Sequence, residues 1–456
     1  MKIQREMKRL IAAMLCVAMA VGMGACSSSS SGSSSADEGS SQTEEQSSTV
    51  QSQTSEGGKT LTFLMSIGNY EGQYDGAFEE VLDSYNENGN KIDFQVIPQF
   101  YEAMKVKLST GDAPDMWMQN LPTDVGTFGE ENCAVLDDED WVSRLANPSI
   151  CKWTDGHLYG FPLRAAQWYP GMYYNKAIYE QAGITDPAPK TMDEFWQILD
   201  TVKEKVPDVA TIGMANNEAG FAQYFVTICG GLAMQDTSVW DKLYTNQLKY
   251  AEVPELVNVM TDFKHLVDSY ANKDHISTTR DTVISMMATE QAATIIADES
   301  VAISILGKNP DIDLGVYIIP YGDQDLGVTG SFVESIYLNA KSENLQECKD
   351  FIDWFATQDH LGKWYEEQAA FSSLKDVKNG TYPQCVQELY NNYIATGNYV
   401  KEMNSYMSDT KPLFDTYLVK LYQEVLVGQE TPESMWQKWD NYVADYMKEI
   451  GNSDWA

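Results

Sequence analysis

The sequence predicts an α/β fold that is divided between two lobes, and three observations support this prediction. At the start of the body, runs with the period of a strand alternate with runs with the period of a helix, which is typical of a mainly parallel sheet. Further strand and helix patterns follow in the middle of the chain. The chain has 456 residues, whereas one hydrophobic core stops growing at roughly 250–300 residues.

Two strand–helix units open the body. The first has a β-prone run at 60–65, followed by apolar residues at helical spacing between 78 and 85. The second has an alternating strand at 92–97, a helix at 101–108 and an apolar strand at 116–118. Ligands of open α/β sheets bind beyond the carboxyl ends of the strands. The loops that follow the first and third of these strands are therefore expected at one ligand-binding edge.

Helix-start signals place further elements in the middle and at the end of the chain. Residues 191–194 form a capping box, in which a Thr hydroxyl and a Glu carboxylate each satisfy a free backbone amide ahead of an apolar helix face. Thr431, followed by a proline, starts a C-terminal helix whose aromatic stripe is expected to pack rather than to bind. Periodicity also predicts helices over 256–270 and 348–355 and buried strands over 292–296 and 336–338.

The N-terminus has the pattern of an export signal. Residues 2–9 carry four basic side chains, and residues 10–21 form an apolar run that is too short to span a bilayer comfortably. The sequence Met-Gly-Ala-Cys then ends at Cys26 and resembles the lipobox of bacterial lipoproteins. We therefore predict a lipoprotein signal peptide over 1–25 and a diacylated, palmitate-bearing Cys26. An ordinary secretory signal with an incidental cysteine is the alternative.

A serine-rich tether is predicted between this anchor and the body. Residues 27–58 contain 14 serines in 32 positions and almost no apolar side chains, so they cannot bury a core. Together with the lipidated cysteine they form a predicted tether over 26–58. No later stretch approaches 18 consecutive apolar residues, so the body from about residue 59 is expected to meet the membrane through the lipid anchor only. The predicted location is the extracytoplasmic face of the cell membrane.

The charge of the chain argues against nucleic acid as a partner. Its 67 Asp and Glu residues outnumber its 31 Lys and Arg residues, which gives a net charge of −36. Proteins that bind nucleic acid neutralise phosphates with Lys and Arg. The surplus of carboxylates is better explained as a solvated surface that keeps the protein soluble.

The cysteines of the body predict no zinc site. They are odd in number and widely spaced, without a Cys-x-x-Cys motif or a Cys/His cluster. Most of them are expected to be buried apolar thiols. One disulfide stays open, for example between Cys133 and Cys151. The five cysteines are Cys133, Cys151, Cys229, Cys348 and Cys385.

Catalytic signatures are scarce. None of the four histidines lies in a His-Glu-x-x-His motif or beside a Gly-x-Ser-x-Gly elbow. Residues 372–375 contain Ser-x-x-Lys, but the companion motifs of penicillin-interacting enzymes are absent. We therefore expect no metal, no cofactor and no enzymatic activity. A surface glycosidase is the alternative, because carboxylate pairs of the required spacing can arise in any fold this acidic.

An ordered series of motifs runs along the body. The most informative are Asp-Gly-His-Leu-Tyr-Gly-Phe-Pro at 155–162, Gly-Met-Tyr-Tyr-Asn-Lys at 171–176, Ala-Gly-Ile at 182–184 and Pro-Lys-Thr at 189–191. Gly-Asp-Ala-Pro-Asp at 111–115 precedes them, and Ile-Ile-Pro, Asn-Ala-Lys and Phe-Ile-Asp-Trp segments follow. In this order the motifs resemble the family 1 extracellular solute-binding proteins of ABC-type sugar importers, the maltose-binding-protein-like group.

The resemblance implies a two-lobe periplasmic-binding-protein type II fold with an interlobe ligand cleft and hinge crossovers. It implies that residues 59–165 with 322–371 form lobe 1, and that residues 166–321 with 372–456 form lobe 2. The implied function is a monomeric extracellular receptor. It would capture a sugar or oligosaccharide by cleft closure and deliver it to the permease subunits of an ABC importer, without bond chemistry.

A carbohydrate cleft needs aromatic faces against the sugar rings and amides or carboxylates for the hydroxyl groups. Positions that match the family pattern supply such side chains. Packing is the alternative for Trp168 and Tyr224, and turn formation is the alternative for Asn69 and Ser331. The ligand-binding residues implied by the resemblance are Asn69, Tyr70, Gln119, Asn120, Arg164, Gln167, Trp168, Phe221, Tyr224, Asp298, Glu299, Ser331, Phe332 and Glu334.

One position departs from the family pattern. Many relatives have Gly-x-Trp after the strand that contains Ile295, whereas this chain has Asp-Glu-Ser at 298–300. The stacking partner of the sugar is therefore expected elsewhere, or the solute is a different polar molecule. A sensory or adhesion module is a further alternative for a binding protein of this kind.

Overall fold

The computed structural model describes residues 59–455, with the exception of residues 71–73, 75, 88, 186, 323–324, 331, 408–409 and 411–412. The predicted signal peptide, the lipidated Cys26, the tether and Ser331 lie outside the described residues. The strands within the described residues are β1 (Thr60–Ser66), β2 (Lys91–Ile97), β3 (Met116–Leu121), β4 (Gly160–Pro162), β5 (Gly171–Asn175), β6 (Ala210–Gly213), β7 (Ala292–Ala297), β8 (Leu314–Tyr317), β9 (Gly327–Thr329), β10 (Val333–Leu338) and β11 (Tyr399–Lys401).

These strands form two main sheets and one small sheet. The first sheet has the order β2-β1-β3-β10-β4, and the second has the order β6-β7-β5-β8. β9 and β11 pair in parallel as a separate ribbon. The first sheet draws its strands from the segments predicted for lobe 1, and the second from those predicted for lobe 2, whereas the ribbon joins one strand from each. The exact lobe boundaries stay a prediction.

The prediction of mainly parallel sheets is wrong, because both main sheets are mixed. β1 lies parallel to β2 and β3, but β10 lies antiparallel to β3 and β4. In the second sheet β6 and β7 are parallel, and β5 is antiparallel to both β7 and β8. A helical crossover between neighbouring strands imposes parallel pairing. β10 instead follows all the strands of the second sheet along the chain. No single helical crossover links it to β3 or β4, so this constraint does not apply to β10.

Helices pack around these sheets. The α-helices within the described residues are α1 (Ile67–Tyr70), α2 (Ala77–Glu87), α3 (Phe100–Thr110), α4 (Val125–Phe128), α5 (Lys176–Gln181), α6 (Met192–Lys205), α7 (Ala219–Ala233), α8 (Ser238–Tyr244), α9 (Pro254–Tyr270), α10 (Arg280–Ala288), α11 (Glu299–Lys308), α12 (Leu345–Phe355), α13 (Lys363–Glu367), α14 (Gln384–Leu389), α15 (Met403–Tyr406), α16 (Val419–Leu426) and α17 (Pro432–Glu449).

The predicted capping box begins α6, with one difference in its hydrogen bonds. Thr191 Oγ1 accepts from the backbone N–H of Glu194 at 3.2 Å, as expected for an N-cap. The Glu194 carboxylate, however, accepts from the N–H of Lys190 at 2.7 Å rather than from that of Thr191. The box still satisfies two free amides at the start of the helix.

The aromatic stripe of α17 packs in the core, as predicted. Trp436 and Trp439 are fully buried, and Trp436 Nε1 donates to the carbonyl oxygen of Leu256 at 3.0 Å. The five cysteines of the described body are all buried and free thiols, so no disulfide forms between Cys133 and Cys151. Among the described helices, none combines the length and the apolar character that crossing a bilayer requires.

Candidate functional site

The two main sheets present polar and aromatic residues at matching edges. In the first sheet, the carboxyl end of β3 lies beside the beginning of β10, where Asn120 pairs with Glu334. In the second sheet, the carboxyl end of β7 lies beside the beginning of β5, where Ala297 pairs with Gly171. The residues that follow these strand ends, and the segments that lead from one sheet to the other, carry the side chains described below.

A cavity of about 520 Å³ lies where these segments meet. Its volume is within the range of small-molecule binding sites. The predicted site residues that line it are Arg164, Gln167, Trp168, Asp298, Glu299 and Phe332. Lining residues that were not predicted from the sequence are Arg280, Ser300, Ile303, Ser304, Glu367, Gln368, Ala369 and Tyr382.

Trp168 supplies an aromatic surface to this cavity. Its side chain is half-buried and lies parallel to the ring of Tyr224, with centroids 5.8 Å apart and an interplanar angle of 8°. Tyr224 itself is buried, and Phe221 packs edge-on against it with centroids 5.3 Å apart. Because Tyr224 covers one face of the indole, the opposite face is the one that a bound molecule can contact.

The backbone of Trp168 is held in an unusual conformation. Its φ of 65° is left-handed, which is rare for a bulky residue and costs about 1–3 kcal/mol. The carbonyl oxygen of Trp168 accepts from the N–H of Gly330 at 3.2 Å. The N–H groups of Trp168 and Tyr169 donate to the two carboxylate oxygens of Glu299 at 3.1 and 2.6 Å. Hydrogen bonds on both sides therefore support the strained residue.

Asp298 and Glu299 connect the start of α11 to this aromatic pair. Asp298 Oδ2 accepts from the Tyr224 hydroxyl at 2.6 Å, and Oδ1 accepts from the N–H of Ser300 at 2.8 Å, which caps the helix. Burial, and after it the charge of Asp298, raises the pKa of the Glu299 carboxyl to about 7, although the backbone hydrogen bonds act in the opposite direction.

A second polar cluster borders the cavity at Arg164. Its Nε lies 3.6 Å from Glu334 Oε2, and the two side chains are only 8 and 4 % exposed. Arg164 Nη1 also donates to the carbonyl oxygen of Ala369 at 3.2 Å, and Glu334 accepts from the Tyr74 hydroxyl. Burial, and after it the charge of Glu334, raises the pKa of Tyr74 well above its usual value, so Tyr74 remains a neutral donor.

Short backbone contacts join the segments that connect the two sheets. Leu163, after β4, donates its N–H to the carbonyl oxygen of Glu334 at 2.8 Å, and Ala165 donates to that of Phe371 at 2.9 Å. The side-chain oxygen of Gln167 accepts from the N–H of Glu334 at 3.1 Å. The segment after β4 is therefore tied both to the start of β10 and to the chain at Phe371.

Within the described part of the chain, the remaining predicted residues do not line this cavity. Phe221, Tyr224 and Glu334 contact residues that do. Asn69 and Tyr70 follow the carboxyl end of β1, Gln119 and Asn120 lie near the carboxyl end of β3, and Ser331 lies outside the described residues.

Hydrogen bonds within the protein engage most of the residues at the β1 and β3 ends. The Tyr70 hydroxyl donates to a carboxylate of α2 at 2.8 Å. Gln119 is 3 % exposed and accepts from the Tyr101 hydroxyl at 3.3 Å, and the carbonyl oxygen of Asn120 also accepts a tyrosine hydroxyl. The side-chain NH₂ group of Asn69 is buried and has no hydrogen-bond partner among the described residues.

Several lining residues escaped prediction because they lie one helical turn beyond a strand end or a loop. Arg280 is the first residue of α10, and its Nη2 donates to Ser300 Oγ at 3.1 Å. Ser300, Ile303 and Ser304 lie in the first turns of α11. An N-cap at Asp298 with serines at helical spacing behind it was a signal that could have found this helix face.

The chemistry of the cavity suits an uncharged polar molecule. Arg164 and Arg280 bring positive charge, and Asp298, Glu299 and Glu367 bring a comparable amount of negative charge. Within the described part of the chain, no group of three or more His, Cys, Asp or Glu side chains is arranged to hold a metal ion. The cavity therefore offers hydrogen-bonding groups of both kinds beside one aromatic face.

A larger cavity of about 930 Å³ lies beside β8 and α14. Its lining includes Lys190, Tyr317, Glu388 and Tyr393, and none of the residues predicted to bind solute. The smaller cavity combines residues from both sheet edges with the half-buried indole of Trp168. We therefore take the smaller cavity as the candidate functional site.

Comparisons with known proteins agree with this architecture. The family model described as "Bacterial extracellular solute-binding protein" matches residues 80–396. The melibiose/raffinose/stachyose-binding protein MelE of Bacillus subtilis is 26 % identical over 291 residues, which are 60 % of this chain and 65 % of MelE, slightly less than two thirds of that relative. The multiple sugar-binding protein of Streptococcus mutans is 20 % identical over 347 residues, which are 72 % of this chain and 78 % of that protein.

Solved structures show the same fold. The MsmE binding protein of Bacillus subtilis, in an open conformation, matches with a TM-score of 0.72 and 21 % identity over 86 % of this chain and 98 % of that one. A sugar transporter protein of Bacillus licheniformis, solved in complex with stachyose, matches with a TM-score of 0.65 and 23 % identity over 84 % of this chain and 99 % of that one. The predicted two-lobe α/β solute-binding fold is thereby confirmed. Because the family model covers more than half of the chain, the protein belongs to the bacterial extracellular solute-binding proteins, as the ordered motifs predicted.

Proposed function

We propose that the protein is the lipid-anchored receptor of an ABC-type importer and that its solute is an uncharged sugar or oligosaccharide. The solute binds in the 520 Å³ cavity, the two lobes close around it, and the closed form delivers it to the permease subunits. The protein acts as a monomer and releases the solute unchanged. This proposal combines the family with the chemistry of the cavity.

The observation that carries the proposal is the half-buried Trp168 beside polar side chains from both sheet edges. A pyranose ring presents C–H groups on its faces and hydroxyl groups at its rim. An aromatic face matches the first, and amides, hydroxyls and charged groups match the second. The names of MelE and of the structure with stachyose, which refer to oligosaccharides, support the same solute class.

The balance of charges around the cavity favours a neutral solute over an anionic one. Arg164 is already paired with Glu334, and Arg280 donates to Ser300 close to Asp298. A carboxylate or sulfate on the sugar would therefore have to compete with Glu334 for Arg164 and with the Ser300 hydroxyl for Arg280. A neutral sugar needs only hydrogen bonds, which these groups can supply without separation from their partners.

We propose direct solute contacts from the lining side chains that have free surface towards the cavity. From the residues predicted by sequence these are Gln167, Trp168 and Phe332, with Arg164 at the wall. From the residues that the structure adds they are Arg280, Ser304, Glu367 and Gln368. Asn69, Tyr70, Gln119, Asn120 and Ser331 belong to the lobe-1 side and are proposed to meet the solute when the lobes close.

The position of the cavity between the two sheet edges supports the proposed closure. A solute that contacts both lobes gains those contacts only when the lobes approach, so binding shifts the equilibrium towards the closed form. The proposed division is 59–165 with 322–371 for lobe 1 and 166–321 with 372–456 for lobe 2. The segments around Leu163, Gly330 and Phe371 are the proposed hinge.

Isothermal titration calorimetry of the purified body, residues 59–456, tests the solute class. We expect stoichiometric binding of raffinose, stachyose or a related neutral oligosaccharide, and much weaker binding of galacturonate oligomers of similar length. Small-angle scattering should show a smaller radius of gyration with the bound sugar. The absence of binding and of compaction across a panel of neutral mono- and oligosaccharides would contradict the carbohydrate proposal.

The same complex tests the absence of catalysis. After prolonged incubation with a stoichiometric excess of the bound sugar, chromatography should recover the sugar intact. Accumulation of shorter sugars that depends on the protein would support the glycosidase alternative instead.

The anchor is tested in the full chain. Replacement Cys26→Ser should release the protein from the membrane fraction into the medium, because the substituted residue cannot be diacylated. Replacement Cys16→Ser, within the predicted signal peptide, is the matched control and should leave the protein in the membrane fraction. Retention of the Cys26→Ser variant would indicate another mode of attachment.

A further inference from the structure

We infer that Glu299 and Asp298 are positioning residues, which hold the Trp168–Tyr224 stack in place for the solute and do not contact the solute themselves. The inference rests on the proposed function and deepens it. It gives a role to the Asp-Glu-Ser sequence at 298–300, which directly follows β7. The chain uses this position to support the indole of Trp168, which lies in the segment between β4 and β5.

The hydrogen bonds of Glu299 are directed at the backbone that carries the indole. Both carboxylate oxygens accept backbone N–H groups, one from Trp168 at 3.1 Å and one from Tyr169 at 2.6 Å. The side chain is 6 % exposed. A carboxylate used in this bidentate way, at this burial, has little remaining surface for a sugar hydroxyl.

The left-handed backbone explains why such support is needed. Trp168 has φ of 65°, and a bulky residue leaves this region readily unless its surroundings hold it. The N–H of Trp168 points to Glu299, and its carbonyl oxygen accepts from Gly330. Loss of the Glu299 acceptors would allow the peptide to rotate, and the indole would turn away from the ring of Tyr224.

Asp298 fixes the second ring of the stack. Its Oδ2 accepts from the Tyr224 hydroxyl at 2.6 Å, and its Oδ1 is occupied by the N–H and the hydroxyl of Ser300 at the start of α11. The helix terminus, the two carboxylates and the two parallel rings therefore form one connected unit. Because Tyr224 is buried and Trp168 is half-buried, only the indole of this unit meets the solute.

The first arm of the test follows the ligand-free protein by hydrogen exchange. In Glu299→Ala, we expect the amides of Trp168 and Tyr169 to exchange about tenfold faster or more, because both acceptors are lost. In Glu299→Gln, which keeps one oxygen acceptor, we expect an intermediate effect. Glu402→Ala is the matched control, since Glu402 is a buried carboxylate that accepts backbone N–H of Asn404 and does not line the cavity.

The second arm measures the affinity for the sugar that the wild-type protein binds. Glu299→Ala should bind about tenfold more weakly or worse, with Glu299→Gln in between, and Glu402→Ala should bind like wild type. Tyr224→Phe, which removes only the hydroxyl bonded to Asp298, should bind several-fold more weakly. Its control is Tyr321→Phe, which removes a hydroxyl bonded to Asp262 at 2.8 Å away from the cavity.

The outcomes separate the inference from the proposed function. Weaker binding of the Glu299 variants with unchanged exchange at residues 168–169 would overturn the inference, because Glu299 would then be a direct ligand. Faster exchange that is spread over the whole chain, with normal affinity of the folded protein, would also overturn it. If the wild-type protein binds no sugar, the proposed function fails, and the exchange arm alone still decides whether Glu299 holds the stack.

Discussion

Two polar clusters border the same cavity and differ in how they satisfy buried charge. In the first, Arg164 and Glu334 are oppositely charged and lie against each other, with Tyr74 as a further donor. In the second, Asp298 and Glu299 are neighbouring acids, and they accept hydrogen bonds from backbone N–H groups and a tyrosine hydroxyl. The first cluster pairs a buried cation with a buried anion, whereas the carboxylates of the second cluster hold an aromatic pair at the cavity surface.

This difference indicates which buried charges stabilise the fold and which ones position residues of the candidate site. Removal of one partner from an ion pair leaves an unpaired buried charge, which is strongly destabilising. Glu299 instead accepts from the N–H groups of Trp168 and Tyr169, and it thereby fixes the conformation of the segment between β4 and β5. We therefore expect substitutions in the first cluster to affect folding, and substitutions in the second cluster to affect binding.

The largest effect is expected for Arg164→Met. The substitution leaves Glu334 buried without its cation, and we expect the free energy of unfolding in urea to fall by about 3–5 kcal/mol. The control is Lys264→Met, which breaks an exposed pair with Asp268 and should cost less than about 1 kcal/mol. A loss of less than about 1 kcal/mol for Arg164→Met would show that the first cluster does not stabilise the fold.

Trp168→Gly should separate binding from stability. Glycine adopts φ of 65° without strain, so the relief of strain offsets the lost contact with Tyr224, and the free energy of unfolding should stay within about 1 kcal/mol of wild type. Binding of the sugar should weaken by about 1.5–3 kcal/mol, because the aromatic face is gone. Trp196→Gly is the control for binding, since Trp196 is half-buried, stacks on Tyr270 and does not line the cavity. Unchanged affinity of Trp168→Gly would exclude the indole as the sugar platform.

The pH dependence of the free energy of unfolding should reveal the raised pKa of Glu299. Because burial raises its pKa in the folded protein to about 7, the folded state keeps the proton between about pH 4.5 and 7 while the unfolded state has lost it. Stability from this residue is therefore highest below about pH 4.5 and declines as the pH rises towards 7. Urea unfolding at pH 5, 6, 7 and 8 should show a decline of about 2–3 kcal/mol that is absent in Glu299→Gln. Parallel curves for the two proteins would contradict the raised pKa.

The smallest effect is expected for Ser300→Ala. The serine hydroxyl joins Asp298 to Arg280, but it lies on an exposed part of the helix start, and the backbone N–H of residue 300 can still bond Asp298. Stability and affinity should each change by about 0.5 kcal/mol or less, measured by urea unfolding and calorimetry. A tenfold loss of affinity would place Arg280 and Ser300 among the principal contacts of the solute.

Much of the fold was predictable from periodicity and helix-start signals. The strand at β1, the helix α2 and the capped helix α6 lie where the apolar spacing and the Thr191 cap predict them. The orientation of β10 was not predictable in the same way. Its composition indicates a buried strand in either direction, and the pairing partner is chosen by the path of the chain through the second sheet.

The candidate site was predictable in part. Trp168 could be found from its position on the family pattern, but nothing in its sequence neighbourhood indicates the left-handed backbone or the stack on Tyr224. Glu367 ends α13 and Gln368 follows it, and this helix carries no site signal of its own, so both residues reach the cavity only through tertiary packing. Residues brought in from distant helices in this way have no local pattern that a sequence can display.

The insertion of β10 between β3 and β4 also has a consequence for the order of folding. Tyr337 of β10 donates to the carbonyl oxygen of Asn120 in β3, a residue 217 positions earlier in the chain. The first sheet therefore cannot be completed until nearly three quarters of the chain is available for folding. Pairings between such distant segments form slowly. Until the late strand pairs, the first sheet has an open edge that could aggregate, and the strong negative charge of the chain helps to keep such a species soluble.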